Sequence, residues 1–265
     1  MHITSLDDAA WDSPWRRRAV GEKVLLSVGL VVTAVCTPTW PGTVLVAAAS
    51  VVAVLALARI RPRVLVQAMS APLVFLLLGG VSVLVSVGGS ASSQAWWRLG
   101  ILSVSAESCR QAVQLVAHGV AGTLAVMVLA VTTPMVDLLT WLRRLRVPDP
   151  LLEIASLTYR LIFVLLDTVV TAHEAQRCRL GDAPVGPRAW RRRWENTASL
   201  MGSVAVRAWA RASRLNEGLV NRGFESSLAT LPIARRRSVG FEVATLALLA
   251  ATWVACWALT GRWWR

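Results

Sequence analysis

Lysine is nearly missing from this chain: of 28 basic residues only Lys23 is a lysine, and 15 acids leave a formal net charge of +13 over 265 residues. A nucleic-acid binder would spread such charge over a soluble fold with aromatic platforms or a reading helix. Here the arginines fall between apolar blocks, and Trp190 and Trp194 are too few and too close together to stack bases. Nucleic acid is therefore not expected as a partner, and a membrane-tethered nucleic-acid-binding protein is kept only as an alternative reading. The four cysteines, Cys36, Cys109, Cys178 and Cys256, are far apart with no CxxC pair, which indicates neither a disulfide framework nor a thiolate metal site. No G-x-S-x-G and no P-loop occurs, and HEAQR at His173 to Arg177 has arginine where a zinc motif has its second histidine. A helical intramembrane enzyme, the main rival reading, is left without a catalytic residue, cofactor or metal, and the chain lacks the means to hydrolyse ATP itself. Met1 and His2 offer two nitrogens, too few for a closed metal site.

What is present is apolar surface: 55% of the residues are hydrophobic and 16% charged, with positive mean hydropathy, which is the composition of a membrane protein. A spanning helix needs about 20 mostly apolar residues. Blocks at 64–87, 111–133 and 241–260 qualify, as does the slightly short 42–58, and the run from Val20 to Val35 counts as a first span that borrows from its flanks. Arg16, Arg17 and Arg18 before that run give it the look of a signal peptide. Asp7, Asp8 and Asp12 and the lack of a small-x-small site before Pro38 identify it instead as an uncleaved span.

Orientation follows from the excess of arginine and lysine in cytoplasmic loops. Arg16 to Arg18 with Lys23 place the N-terminus inside, the uncharged TPTWPG loop lies outside, and Arg59, Arg61 and Arg63 return the chain inside. Block 64–87 then leads to an external GGSASSQAWWRLG segment with Trp96 and Trp97 as interfacial anchors, and block 111–133 delivers Arg143, Arg144 and Arg146 inside. His118 falls within that last span, where a packing histidine is the simplest reading.

Leu151 to Gln176 is apolar enough to pass for a further span. Were it to cross, residues 172–240 would be external with 13 arginines against 5 acids, contrary to the charge bias. Glu153, Arg160, Asp167 and Glu174 recur every seven residues on nearly one face, which predicts an amphipathic helix that does not cross. A second amphipathic helix follows from Trp194, with Ala198, Met201, Ala205, Ala208, Ala212, Leu215 and Leu219 forming a seam of mainly small residues suited to close crossing. Arg207, Arg211 and Arg214 lie off that seam, as a stripe facing solvent or lipid phosphate.

Both helices stop in similar chemistry, EAQRCRLGD and GLVNRGFES. Glycine past a helix end and arginine in the last turn are ordinary C-terminal signals, and for either end alone a plain cap suffices. Together, on two long helices set between four spans and a final one, they resemble the transmembrane T component of energy-coupling factor (ECF) transporters, most closely its cobalt-type branch. The resemblance covers most of the chain, through LDDAAWDSPWRRRAVGEK, TTPMVDLLTWLRRLRVP, TYRLIFVLLDTVVTAHEAQRCRLG and the NRGF end.

The resemblance implies an all-α polytopic membrane protein of about five transmembrane helices with two long amphipathic cytoplasmic coupling helices. It divides into a membrane bundle at 1–136, a coupling region at 137–240 and a C-terminal span and tail at 241–265, in the cell membrane with 137–240 cytoplasmic. It also implies partners: two ABC ATPase subunits, alike or different, and a small membrane subunit that captures a metal ion or vitamin. Ala-Arg-Gly-like motifs at the helix ends dock into the ATPases in that family. They correspond to Arg179 and Gly181, with Cys178 and Leu180 departing from the pattern, and to Arg222 and Gly223, with Asn221 in place of alanine. The larger departure at the first end leaves Arg177 as an additional docking candidate. Physically, a guanidinium at the tip of a rigid helix makes bidentate bonds that an ammonium copies poorly.

Overall fold

The computed structural model describes residues 9–37, 40–84, 86–87, 95–99, 102–179, 189–224 and 238–263. Its helices are α1 (Val20–Cys36), α2 (Trp40–Val52), α3 (Pro62–Leu84), α4 (Ala106–Ala130), α5 (Met135–Arg144), α6 (Asp149–Cys178), α7 (Ala189–Val220) and α8 (Val239–Trp263). The all-α class holds, and the chain is built as a multi-pass membrane protein. Three short strands, β1 (Ser86–Val87), β2 (Ala95–Leu99) and β3 (Leu102–Ser105), interrupt the connection between α3 and α4. They pair antiparallel in the order β1-β3-β2, with Val87 opposite Leu102 and a register shift between Ala95 and Trp97. The chain forms two compact units, residues 1–138 with 233–265, and residues 139–232.

In the first unit α4 is the hub, packing on α1, α2 and α3, while α8 covers α1 and α2. Leu30, Val46, Val54, Ala121, Ala125 and Val128 fill the core. Small residues set the closest approach. A Cβ on Gly80 of α3 would lie 2.6 Å from Val116 Cγ2 of α4, and Gly119 of α4 receives Leu76 of α3 in the same way. Close backbone contact of this kind replaces the hydrophobic drive that lipid surroundings remove. Polar ties cross the same interfaces: Ser27 Oγ donates to the Ala125 carbonyl at 2.8 Å, and Trp253 Nε1 donates to Thr33 Oγ1 at 3.0 Å. His118 Nδ1 lies 3.1 Å from Thr43 Oγ1, so the intramembrane histidine has a hydrogen-bonding neighbour on α2.

Helix α2 ends in a π turn, Ala53–Leu57, closed by the Ala58 amide on the Ala53 carbonyl at 2.9 Å. Arg59 then takes a φ of 50° and reverses the chain into α3. Before α1, Trp15 meets Phe241 of α8 edge-on at 5.1 Å, and the Arg18 guanidinium sits 4.5 Å above the same ring.

Five helical stretches among the described residues are long and apolar enough to cross a membrane: Trp40–Leu57, Pro62–Leu84, Ala106–Ala130, Asp149–Cys178 and Val239–Ala258. The sequence reading also counts five, but with the first apolar run in place of α6. Helix α1 has 17 residues, about 25 Å of rise, and makes up for its length by burial between α4 and α8. Length and composition alone do not separate α6 from a span; its charges have to.

Candidate functional site

The second unit is organised by α6 and α7. The two helices touch, and Gln176 Nε2 donates to the Asn196 carbonyl at 3.3 Å. Arg143 Nε at the end of α5 reaches Asp149 Oδ1 at the start of α6 over 2.9 Å. Along α6, Arg160, Asp167 and Glu174 are exposed as their spacing predicts, whereas Glu153, the first of the series, is buried.

On α7 the seam differs from the one read in the sequence. The half-buried face runs through Asn196, Leu200, Ser203, Val204 and Ala208, while Ala198, Ala205, Ala212 and Leu215 are exposed and Met201 is 69% exposed. Alanines lie on several sides of this helix, so their period identifies a helix without fixing which side packs. Leu200 and Val204, one position away from Met201 and Ala205, carry the apolar surface that does. None of the residues of α7 is fully buried. Trp209, Trp190, Val206 and Val220 are all more than 60% exposed.

The two helix ends are built differently. At the end of α7 the Gly223 amide bonds the Val220 carbonyl at 3.0 Å and the Phe224 amide bonds the Leu219 carbonyl at 3.0 Å. With Gly223 at φ 68°, this is a complete Schellman turn. Arg222 occupies the cap residue itself, with an exposed side chain that takes no partner among the described residues. At the end of α6 the cap is Arg179, with φ −91° and ψ 13°, its amide 3.1 Å from the Gln176 carbonyl. Arg177, Cys178 and Arg179 are all exposed. Gly181 lies outside the described residues. Both candidate arginines thus stand at the tips of long helices, facing solvent.

Gly223→Ala places a Cβ in the left-handed region, at a cost of about 1 kcal/mol. Faster hydrogen exchange over residues 219–224, with α6 unaffected, is the expected result.

Among the described residues no group of three or more His, Cys, Asp or Glu side chains is assembled to hold a metal ion. Met1 and His2 lie outside the described residues. What the sequence reading missed is at the other end of the chain: Lys23, used there only as a positive charge, is fully buried beside the buried Glu22.

A bundle of apolar helices together with two long helices, each ending on an exposed arginine, defines a helical, multi-pass membrane component. Comparison with known proteins gives the same class. Residues 12–231 match the family model CbiQ, "Cobalt transport protein". The chain is 35% identical over 258 residues to "Cobalt transport protein CbiQ" of Rhodobacter capsulatus, covering 96% of this chain and 99% of that protein. It is 25% identical over 226 residues to "Putative fused cobalt transport protein CbiMQ" of Methanocorpusculum labreanum, covering 84% of this chain and 37% of the relative. An uncharacterized protein of Methanocaldococcus jannaschii is 29% identical over 120 residues, 45% of this chain and 43% of that one. The chain belongs to the CbiQ family of cobalt transport proteins, the cobalt-type branch to which its motifs point.

Proposed function

We propose that this protein is the transmembrane scaffold and coupling subunit of an ECF-type importer, with cobalt ion as the transported substrate. In this reading two ATPase subunits dock on the ends of α6 and α7, and a separate membrane subunit captures the ion. The observation that carries it is α7: 32 residues with none buried, large apolar side chains in the open, and an arginine held at its tip by a rigid turn. Exposed apolar surface of this extent marks a protein contact, and a guanidinium at its end supplies directional, charge-assisted bonds.

Residues 137–240 face the cytoplasm in this reading, and α6 does not cross the cell membrane. The excess of 13 arginines over 5 acids in 172–240 supports that orientation. So do the three exposed charges along α6, which lipid would penalise. Cobalt as substrate rests on the names of the relatives. The relative named as a fused protein, of which this chain spans 37%, fits a division of labour with a second membrane polypeptide.

Without a P-loop the purified chain is expected to hydrolyse no ATP. Co-expressed with cognate ABC ATPases it should copurify with them in detergent and the complex should hydrolyse ATP. Hydrolysis by the chain alone, unchanged by further purification, contradicts the assignment.

A further inference from the structure

The second unit, residues 139–232, is an excursion from the membrane unit, so the chain must leave that unit after α4 and come back to it before α8. Two neighbouring side chains of α1 hold both places. Lys23 Nζ donates to the Thr132 carbonyl at 2.8 Å, just past the last turn of α4. Glu22 Oε1 accepts the Ser238 amide at 2.7 Å, just before the first turn of α8.

The first bond is buried and the second partly so. Lys23 is 0% exposed and Glu22 3% exposed, and Thr132, Thr133 and Pro134 are buried with them. Each bond also has the sign that a helix end favours: a cation on a C-terminal carbonyl and an anion on an N-terminal amide. The second carboxylate oxygen, Glu22 Oε2, is buried without a partner among the described residues, so the Ser238 amide is the anchor the structure gives it. The residue types matter too. The chain uses arginine at every other basic position, yet here, in a closed space against the Thr132 carbonyl, it has a compact ammonium, which a planar five-donor guanidinium matches less well.

We propose that Glu22 and Lys23 are positioning residues that clamp the exit and the return of the coupling excursion onto α1, so that movement of α6 and α7 is passed to the membrane helices instead of being lost in slack connections. This rests on the coupling role proposed above. A clamp is needed for transmission and not for the ATPase contacts proposed at the C-terminal ends of α6 and α7, so its loss should separate hydrolysis from transport.

The test uses the complete complex, with its ATPases and capture subunit, in liposomes supplied with cobalt and ATP. Lys23→Met removes the donor at similar length, and Glu22→Leu removes the acceptor. Each should retain the ATPases and hydrolyse ATP within about twofold of the parent, while cobalt taken up per ATP falls about tenfold, the size of a typical coupling free energy. Hydrogen exchange should rise at residues 132–138 for Lys23→Met and at 238–242 for Glu22→Leu. Lys23→Arg, which keeps a cationic donor, and Glu22→Gln, which keeps an acceptor oxygen, should recover part of the coupling.

If either variant that assembles moves as much cobalt per ATP as the parent, the clamp is refuted. If neither assembles, the two residues serve folding alone and the proposal also falls. A parent complex that binds ATPases but takes up nothing on ATP addition would instead overturn the coupling reading, and the clamp with it.

Discussion

Arg222→Ala should weaken the hold of the ATPases on this subunit by about 30-fold to several-thousandfold, the effect of losing a buried, hydrogen-bonded charge worth about 2–5 kcal/mol at an interface. The structure makes this substitution clean. The turn that ends α7 is closed by the backbone of Leu219, Val220, Gly223 and Phe224, so it survives loss of the Arg222 side chain. Arg222→Lys separates the two roles open to this residue. It keeps the charge that complements the helix dipole and removes the planar fork, so a plain cap would tolerate it and a docked guanidinium would not. Arg207→Ala, an exposed arginine in the middle of the same helix, should change affinity by less than about threefold, as surface charges do. Affinity of purified ATPases for the subunit in nanodiscs is the readout, with the amount of subunit in the membrane held equal.

An all-or-none result is expected for topology, and the natural cysteines provide it. In variants retaining one cysteine each, a membrane-impermeant thiol reagent added to sealed cells should modify Cys36 at the end of α1 and Cys109 at the start of α4, and leave Cys178 untouched until the membrane is opened. All three are exposed on the protein, so in cells lacking the ATPases protection reports the side of the membrane and not burial. Modification of Cys178 from outside would mean that α6 crosses, and that the docking ends are not cytoplasmic.

Long apolar blocks were legible because lipid demands continuous apolar length, and the C-terminal signal at Arg222-Gly223 because a left-handed turn favours glycine. Two things were not legible. The side of α7 that packs could not be read, because alanine on several faces gives a period without a direction; only the half-burial of Leu200 and Val204 reveals it. Nor could the burial of Lys23 and Glu22 be foreseen. Their partners are a main-chain carbonyl at Thr132 and a main-chain amide at Ser238, and no side-chain pattern announces a backbone partner more than a hundred residues away. The strands between α3 and α4 escaped for a related reason: their order follows from pairing across the segment and not from an alternation within it.

The double variant Arg179→Ala, Arg222→Ala tests the central claim most directly, measured as ATP-driven cobalt uptake into liposomes by the complete complex at equal subunit density. Docking of both helix ends predicts that the ATPases are lost from the complex and that uptake falls to the level seen without ATP. If the double variant keeps its ATPases and transports like the parent, these arginines are only helix ends and the coupling assignment of α6 and α7 is contradicted.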